Sequence, residues 1–416
     1  MSKKRLIVIG GGAAGFFCAV NAARLHSNLH VVILEKTNKL LSKVRISGGG
    51  RCNVTHHLFD ISLLSKRYPR GQNFVKKTFH QFGPAETVKW FEERGVKLKA
   101  EADGRMFPIT DSSETIIECL LREASKLGVE IKMNAEVKTL KLSETAPLNI
   151  HPSWQIRLAN GESLDADYVC VACGGYPKYS MFQWLLDLGH TATEPLPSLF
   201  TFNLPKHPIN QLMGVSVEKV RVKIEGSKLQ EYGPILITHW GLSGPSVLRL
   251  SAWGARELVE KGYRFNVHIN WLPDYNEQTL KAKFQEIRGS SPSKKISNYN
   301  FGQLPSRLWL FLLLQSGVKE DMRFADIPAK TENLLIRNLV DYTAEVSGKT
   351  TFKEEFVTAG GINLSEIDAN TMMSKKVPHL FFAGEILNVD GITGGFNFQH
   401  AWASGWIAAK AISNSR

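Results

Sequence analysis

Leu6-Ile7-Val8-Ile9-Gly10-Gly11-Gly12-Ala13-Ala14-Gly15 is the stretch that decides how this 416-residue chain is read. Its four aliphatic residues predict a short strand of a parallel sheet, and Gly10-x-Gly12-x-x-Gly15 opens a helix running through Ala19, Ala22, Ala23 and Leu25. A second apolar strand, Val31-Val32-Ile33-Leu34, ends in Glu35, 20 residues past Gly15. Each part has a mechanical reason. Gly10 permits the tight turn, Gly12 lets the main chain approach a pyrophosphate, and Gly15 lets helix and strand pack closely. The helix amino terminus offers free N–H groups and partial positive charge to the phosphates, while Glu35 accepts hydrogen bonds from ribose hydroxyls. Lys3-Lys4-Arg5 ahead of this stretch imitates a secretory signal, but three successive glycines make a poor signal helix.

An acid at position 35 disfavours a ribose bearing a 2′-phosphate, which leaves FAD or NAD as the dinucleotide. Ser47-Gly48-Gly49-Gly50-Arg51-Cys52-Asn53, preceded by Lys43 and Arg45, is a second glycine-rich loop with no obvious place in a simple NAD dehydrogenase. Such a loop suits a ligand lying extended across the sheet, as FAD would. At the carboxy terminus, Leu380-Phe381-Phe382-Ala383-Gly384-Glu385 reads as a buried strand ending at a turn. Gly394-Gly395 then precedes an apolar helix over residues 398–412.

The length allows two to three domains at about 150 residues each. With 43% hydrophobic and 22% charged residues, the composition excludes a disordered, collagenous or disulfide-stapled chain. Five cysteines are an odd and sparse count, pointing to a reducing compartment and hence a cytoplasmic protein. The longest aliphatic and aromatic run, Leu308 to Leu314, falls far short of the roughly 20 residues of a membrane span. Residues 1–99 hold 18 Lys and Arg against 5 Asp and Glu, an excess of 13, whereas the whole chain carries only +12. A local excess of that kind faces a polyanion such as nucleic acid, supplies positive potential to a bound phosphate compound, or forms a solvated basic surface. Over Lys66 to Lys99 the basic residues alternate with turn and aromatic residues without pattern.

The loop Ser47 to Thr55, Gly104-Arg105-Met106-Phe107-Pro108, Val171-Ala172-Cys173-Gly174-Gly175-Tyr176-Pro177 and Thr238-His239-Trp240-Gly241-Leu242-Ser243-Gly244-Pro245 recur together in a known family. So do Val357-Thr358-Ala359-Gly360-Gly361, Phe382-Ala383-Gly384-Glu385, and Asp390-Gly391 with Gly394-Gly395-Phe396-Asn397-Phe398-Gln399. On these residues the chain resembles the two-dinucleotide-binding-domain flavoproteins, and within them the bacterial NAD(P)/FAD-dependent oxidoreductases. That group includes aminoacetone oxidase-like enzymes and a reductase of dehydrogenated bile-acid intermediates. The resemblance covers nearly the whole chain. It implies an α/β fold in which a Rossmann-like FAD-binding domain carries an inserted β-barrel-like plus helical domain.

The resemblance also implies non-covalent FAD held by particular residues. Gly10, Gly12, Ala13, Ala14 and Gly15 would meet the pyrophosphate, with Glu35 and Lys36 at the ribose and adenine and Val137 near adenine. Lys43, Ser47, Gly48, Gly49, Arg51, Cys52 and Asn53 would lie along the ribityl chain and flavin. Gly174 would support the adenosine half, and Gly384, Glu385, Asp390, Gly395, Phe396 and Asn397 would surround the ring. The helix after Gly395 would aim its dipole at the flavin edge where charge accumulates on reduction. One departure stands out: Lys178-Tyr179-Ser180-Met181-Phe182-Gln183-Trp184 replaces the family's Thr/Gly/Ser-rich turn.

The split motif places the FAD-binding domain at residues 1–190 and 355–416. Alternation at 214–224, 235–237 and 265–269 predicts an antiparallel β domain over 191–275, and helical spacing at 280–284, 308–314 and 334–342 predicts a helical domain over 276–354. Cys170-x-x-Cys173 lies on an apolar strand where residues three apart face opposite sides, against a disulfide, and no zinc ligand set accompanies it. His56 and His57 follow the flavin loop directly. His239, in a Thr-His-Trp-Gly turn, is a candidate proton donor, beside the alternative of a packed or backbone-bonded histidine.

The expected activity is an FAD-dependent oxidoreductase using hydride transfer at flavin N5 on a small organic substrate, as reduction of an activated C=C with NAD(P)H as transient donor. The alternatives are an amine oxidase using O2 and an FAD-containing RNA-binding or RNA-modifying protein. No metal and no membrane partner is expected. The substrate and the oligomeric state are not specified at this level.

Overall fold

The computed structural model describes residues 3–142, 153–299, 301, 304–350 and 357–415. The expected domain boundary at 354/355 lies outside the described residues. The chain divides into two compact units, Met1–Ser198 with Lys353–Arg416, and Leu199–Phe352.

In the first unit the elements that matter are β1 (Lys4–Ile9), α1 (Ala13–Leu25), β2 (Leu29–Leu34), β3 (Glu130–Lys132), β4 (Tyr168–Val171), β5 (Leu380–Phe382) and α2 (Phe396–Asn414). The strands form one sheet in the order β5-β4-β1-β2-β3, every neighbouring pair parallel. Leu6, Ile7 and Val8 have no exposed surface, which explains why β1 reads as a continuous apolar run rather than an alternating one. The carboxy-terminal motif joins the amino-terminal one through pairing of Val169 with Leu380 and Val171 with Phe382. Helix α2 packs on α1 closely enough that a Cβ at Gly405 would sit 2.7 Å from the Ala14 carbonyl oxygen.

The stretch from Lys66 to Lys99 is more regular than its sequence suggested. Helices Gln72–Phe79 and Pro84–Glu92 bury Phe74, Val75, Thr78, Phe79, Thr87, Trp90 and Phe91 and turn their lysines outward. These are amphipathic helices whose short length hid the period.

In the second unit a seven-stranded sheet runs Tyr342–Ser347, Arg264–Asn270, Ser216–Ile224, Gln230–Ile237, Gly241–Ser243, Thr201–Asn203, Lys349–Thr350. Helices Glu277–Ser290, Ser306–Gln315 and Ala329–Val340 share its core, in which Val222, Val267, Phe284, Leu308 and Leu339 lie together. The helical spacing expected through 342 stops at Val340. Tyr342, Ala344 and Val346 alternate inward as a strand paired with Arg264–Asn270, so the division expected near 275 falls inside one shared core. Segment Ala192–Ser198 pairs with Val357–Ile362 within the first unit.

Candidate cofactor site

The β1–α1 turn is built as the glycine spacing requires. Gly10 has φ +116°, and a Cβ there would lie 2.4 Å from the Ala172 carbonyl oxygen. A Cβ at Gly15 would fall 1.9 Å from the Gly10 carbonyl oxygen, so this glycine sets how closely helix and strand approach. At Gly12 the added atom would meet nothing within 4 Å, so this face of the turn is open to a ligand. Gly12 caps α1 without a side-chain hydrogen bond, and no acid stands in the first turn. The N–H groups of Ala13, Ala14 and Gly15 therefore present an undiminished helix amino terminus.

Glu35 ends β2 with both oxygens engaged. Oε2 accepts from the Gly11 N–H at 2.9 Å, and Oε1 from the Thr37 N–H and hydroxyl at 2.8 Å each. Beside it opens a cavity of about 270 Å³ lined by Gly10, Glu35, Lys36, Val137, Cys173, Tyr176, Met181 and Trp184, among others. The departure at Lys178–Trp184 thus supplies a wall of this cavity: a 3-10 turn, Tyr179–Phe182, leads into the helical turn Gln183–Leu186. No local pattern in Lys178–Trp184 marks it as a cavity wall.

The second glycine loop interrupts the helical segment Ser42–Gly50. Ser47 is extended at ψ 145°, and Gly48 and Gly49 take φ +60° and +69°. Gly49 has open space where a Cβ would stand, while Gly48 abuts Phe107. Arg51 lies over the Phe107 ring at 4.0 Å and donates to Glu101 at 2.6 Å. The Cys52 thiol is wholly buried, and burial pushes it up to about 12, so it stays protonated. Asn53, its amide oriented by the hydrogen-bond network, donates to the Thr55 carbonyl and accepts from the Gly395 N–H, 3.0 Å each.

Helix α2 repeats the first arrangement. Gly395, at φ +90°, caps it with no side-chain bond and no acid in the first turn. Phe396 stacks on His56 at 4.7 Å and its carbonyl accepts from the Tyr68 hydroxyl at 2.6 Å. The Nδ1–H of His56 donates to the Gly394 carbonyl at 3.0 Å, and burial lowers this imidazole below its ordinary pKa. Asn397 closes the loop from Gly391 by accepting from the Gly391 N–H at 2.8 Å and donating to its carbonyl at 2.9 Å.

Glu385 ties distant segments together. It accepts from the Thr358 N–H at 2.9 Å and pairs with Lys43, and Gly174 turns beneath it at φ +78°. Gly384, at φ +76°, leaves no room for a Cβ against that of Ala14, 2.7 Å away. Asp390 has no exposed surface; its carboxylate is held by Arg70 and, at 2.9 Å, by the Ser198 hydroxyl. Burial raises Asp390 and Arg70 opposes it; through these two contacts the carboxylate ties the loop before Gly391 to Arg70 and Ser198. Nothing in the local sequence marks Arg70 or Ser198, whose partner Asp390 lies 320 and 192 positions away. His239 belongs to the second unit, exposed, with its ring edge-on to Trp240 at 3.8 Å. Cys170 and Cys173 are free thiols.

Two helix amino termini without side-chain caps, the glycine loop at Ser47–Gly50 and the cavity of about 270 Å³ beside Glu35 fit a dinucleotide carrying a flavin. Together with the parallel sheet they define an FAD-dependent oxidoreductase of Rossmann type. The chain belongs to the HI0933-like protein Rossmann domain family, whose model matches residues 4–411. It is 30% identical to the 3-dehydro-bile acid delta(4,6)-reductase of Clostridium scindens over 98% of this chain and 99% of that protein. It is 29% identical to the ribosomal RNA dihydrouridine synthase of Escherichia coli over 99% and 98% of the two chains. A solved structure of 3-ketosteroid delta1-dehydrogenase from Sterolibacterium denitrificans, in complex with 1,4-androstadiene-3,17-dione, shares the fold, with a TM-score of 0.53, full coverage of both chains and 13% identity. Among the described residues no helix is long and apolar enough to cross a membrane.

Proposed function

We propose that this protein reduces a C=C bond conjugated to a carbonyl, with NAD(P)H as a transiently bound donor. The observation that carries the reading is the uncapped, acid-free amino terminus of α2 behind Gly395, held against the flavin loop by Asn53. Bound FAD supplies hydride acceptance and donation. The helix terminus places positive potential where reduction would add negative charge, favouring the reduced state. Glu35 and Lys36 would hold the nucleotide end and the first turn of α1 the pyrophosphate, while the Lys43–Glu385 pair would fasten the middle of the cradle. Cys52 and Phe396, both buried, would help keep water from a ring bound against this loop.

The kind of bond reduced is supported by the two curated relatives. Their substrates differ, yet both names describe saturation of a ring double bond conjugated to a carbonyl, the ketone of a dehydro-bile acid or the C4 carbonyl of uracil. A second reading, a uridine in RNA as substrate, is favoured by the basic first 99 residues. The test is anaerobic titration of the yellow holoprotein with NADH or NADPH, followed by reoxidation with an enone, a uridine-containing RNA, an amine-derived imine, or oxygen. Bleaching and rapid reoxidation by the enone or RNA is the expected result. Failure to bleach, or reoxidation by oxygen alone with turnover of an amine, would sink the proposal.

A further inference from the structure

Between Asp60 and Glu86 the chain carries Lys66, Arg67, Arg70, Lys76 and Lys77 and no acidic residue. Two packed helices, Ile61–Ser65 and Gln72–Phe79, organise this stretch. Arg70 is drawn inward to Asp390. The other four are exposed, and none forms an ion pair with a described carboxylate. Elsewhere in the first 120 residues Lys43, Arg45, Arg51, Lys99 and Arg105 have carboxylate partners, while the exposed Arg24, Lys36, Lys39 and Lys97 form no ion pair with a described carboxylate but are not gathered on one helical pair. Four uncompensated cations on one short helical pair make a concentrated positive surface rather than a solvated mixture of signs.

That surface adjoins the redox end of the cradle. The Arg67 carbonyl accepts from the Ile392 N–H at 3.0 Å, in the loop leading to Gly394 and Gly395. The charge of Arg67 also bears on His56, which stacks on Phe396. Phe59 and Leu63, about half exposed at 47% and 49%, stand on the same segment, with His57 edge-on to Phe59 at 4.7 Å. Cations that track a phosphate backbone beside exposed rings that take unstacked bases are the two parts of a single-stranded nucleic-acid surface.

We infer that the helical pair 61–80 is the docking surface for the phosphate backbone of RNA, delivering a uracil ring to the flavin end of the site. The choice of base rests on the reduction proposed above, since uracil is a ring C=C conjugated to a carbonyl; the docking surface does not depend on it. An anionic membrane would also attract these cations, but no continuous apolar helix face accompanies them to enter the interface.

The experiment titrates a fluorescent uridine-containing single-stranded RNA with the FAD-loaded full chain at several salt concentrations. It compares the wild type with K66Q/R67Q/K76Q/K77Q, and with the control K141Q/K219Q/K223Q/K228Q, whose lysines are exposed elsewhere. The expected result is saturable wild-type binding that weakens steeply with salt. The first variant should lose at least tenfold in affinity, with the log–log salt slope shallower by about 3, at roughly 0.7 per lost phosphate contact. The control should change less than twofold. Flavin absorbance and circular dichroism verify folding, and the pairs K66Q/R67Q and K76Q/K77Q each give an intermediate loss if the quadruple variant is unstable. Equal binding by wild type and variant, equal loss in the control, or loss of binding to phosphatidylserine vesicles with RNA binding unchanged overturns the inference. RNA binding without reoxidation of reduced flavin leaves the surface standing and removes the proposed reduction.

Discussion

The side-chain amide of Asn53 accepts the N–H of Gly395 at 3.0 Å, joining the glycine loop near the start of the chain to a helix terminus more than 300 residues later. Gly395 cannot be enlarged where it stands, because φ is +90° and a Cβ would lie 2.5 Å from the Thr55 carbonyl oxygen. Gly395→Ala should therefore cost about 1–2 kcal/mol from backbone conformation, and more from the contact. The expected outcome is a lower melting temperature together with at least a tenfold weaker FAD affinity. Unchanged affinity would show that the α2 terminus does not face the cofactor.

Gly12 and Gly15 separate ligand binding from folding. Gly15→Ala forces a Cβ to 1.9 Å from the Gly10 carbonyl oxygen, so the soluble yield should collapse. At Gly12 the apoprotein has room for a Cβ. Gly12→Ala should leave the apoprotein's melting temperature within a few degrees while FAD titration shows a loss of at least tenfold. Equal destabilisation by both substitutions would contradict the assignment of Gly12 to the pyrophosphate.

The cavity wall at Tyr176, Met181 and Trp184 gives a measurable nucleotide preference. Removing the indole in Trp184→Ala should weaken FAD by about tenfold, in line with about 1–3 kcal/mol per base stacked on an aromatic ring. FMN, which lacks the adenosine, should bind the variant and wild type alike. Trp184→Phe should retain most of the affinity, and an equal loss for both flavins would place the tryptophan elsewhere.

Acid sensitivity should arise away from the cofactor. The buried imidazole of His190 donates from Nδ1 to Glu366 at 3.0 Å and accepts at Nε2 from the Ser374 hydroxyl at 3.0 Å. Ser374 Oγ already accepts the N–H groups of Lys376 and Val377, so a proton on Nε2 would find no acceptor. Burial lowers His190 against the opposing pull of Glu366. Glu366 itself is raised by burial, but bonds from Lys376, Thr191 and His190 outweigh that and hold it at about 2. Both groups bind protons more readily when unfolded, so each contributes stability that is complete above its unfolded pKa. That stability is lost as pH falls, from about 6.5 downward for His190 and from about 4.3 toward 2 for Glu366. Melting temperature measured from pH 8 to pH 4 should fall, and His190→Gln should flatten the portion between pH 7 and 5. A parallel decline in wild type and variant would exclude His190 as the source.

The parallel sheet and both helix termini were legible because each is written in neighbouring residues: an apolar run, glycines at fixed spacing, then an apolar helix. Tyr342 ends the helical spacing over 334–342 in the sequence but heads the strand Tyr342–Ser347, because one apolar residue at the end of a run carries no period of its own and its partner strand Arg264–Asn270 is distant in the chain. The helices between Lys66 and Lys99 are too short to display their amphipathic repeat, although the sign of their charge was plain.

Sequence alone determined where the turns of the cradle fall, since at Gly10 and Gly395 a positive φ coincides with a main-chain approach that leaves no room for a Cβ. Tertiary structure alone decided which side chains finish it. Arg70 reaches Asp390, Glu385 joins Lys43 to Thr358, and Trp184 walls the cavity beside Glu35, because folding closes those long loops. No local pattern encodes a hydrogen bond between residues hundreds of positions apart; it exists only once the sheet has set the distance between them.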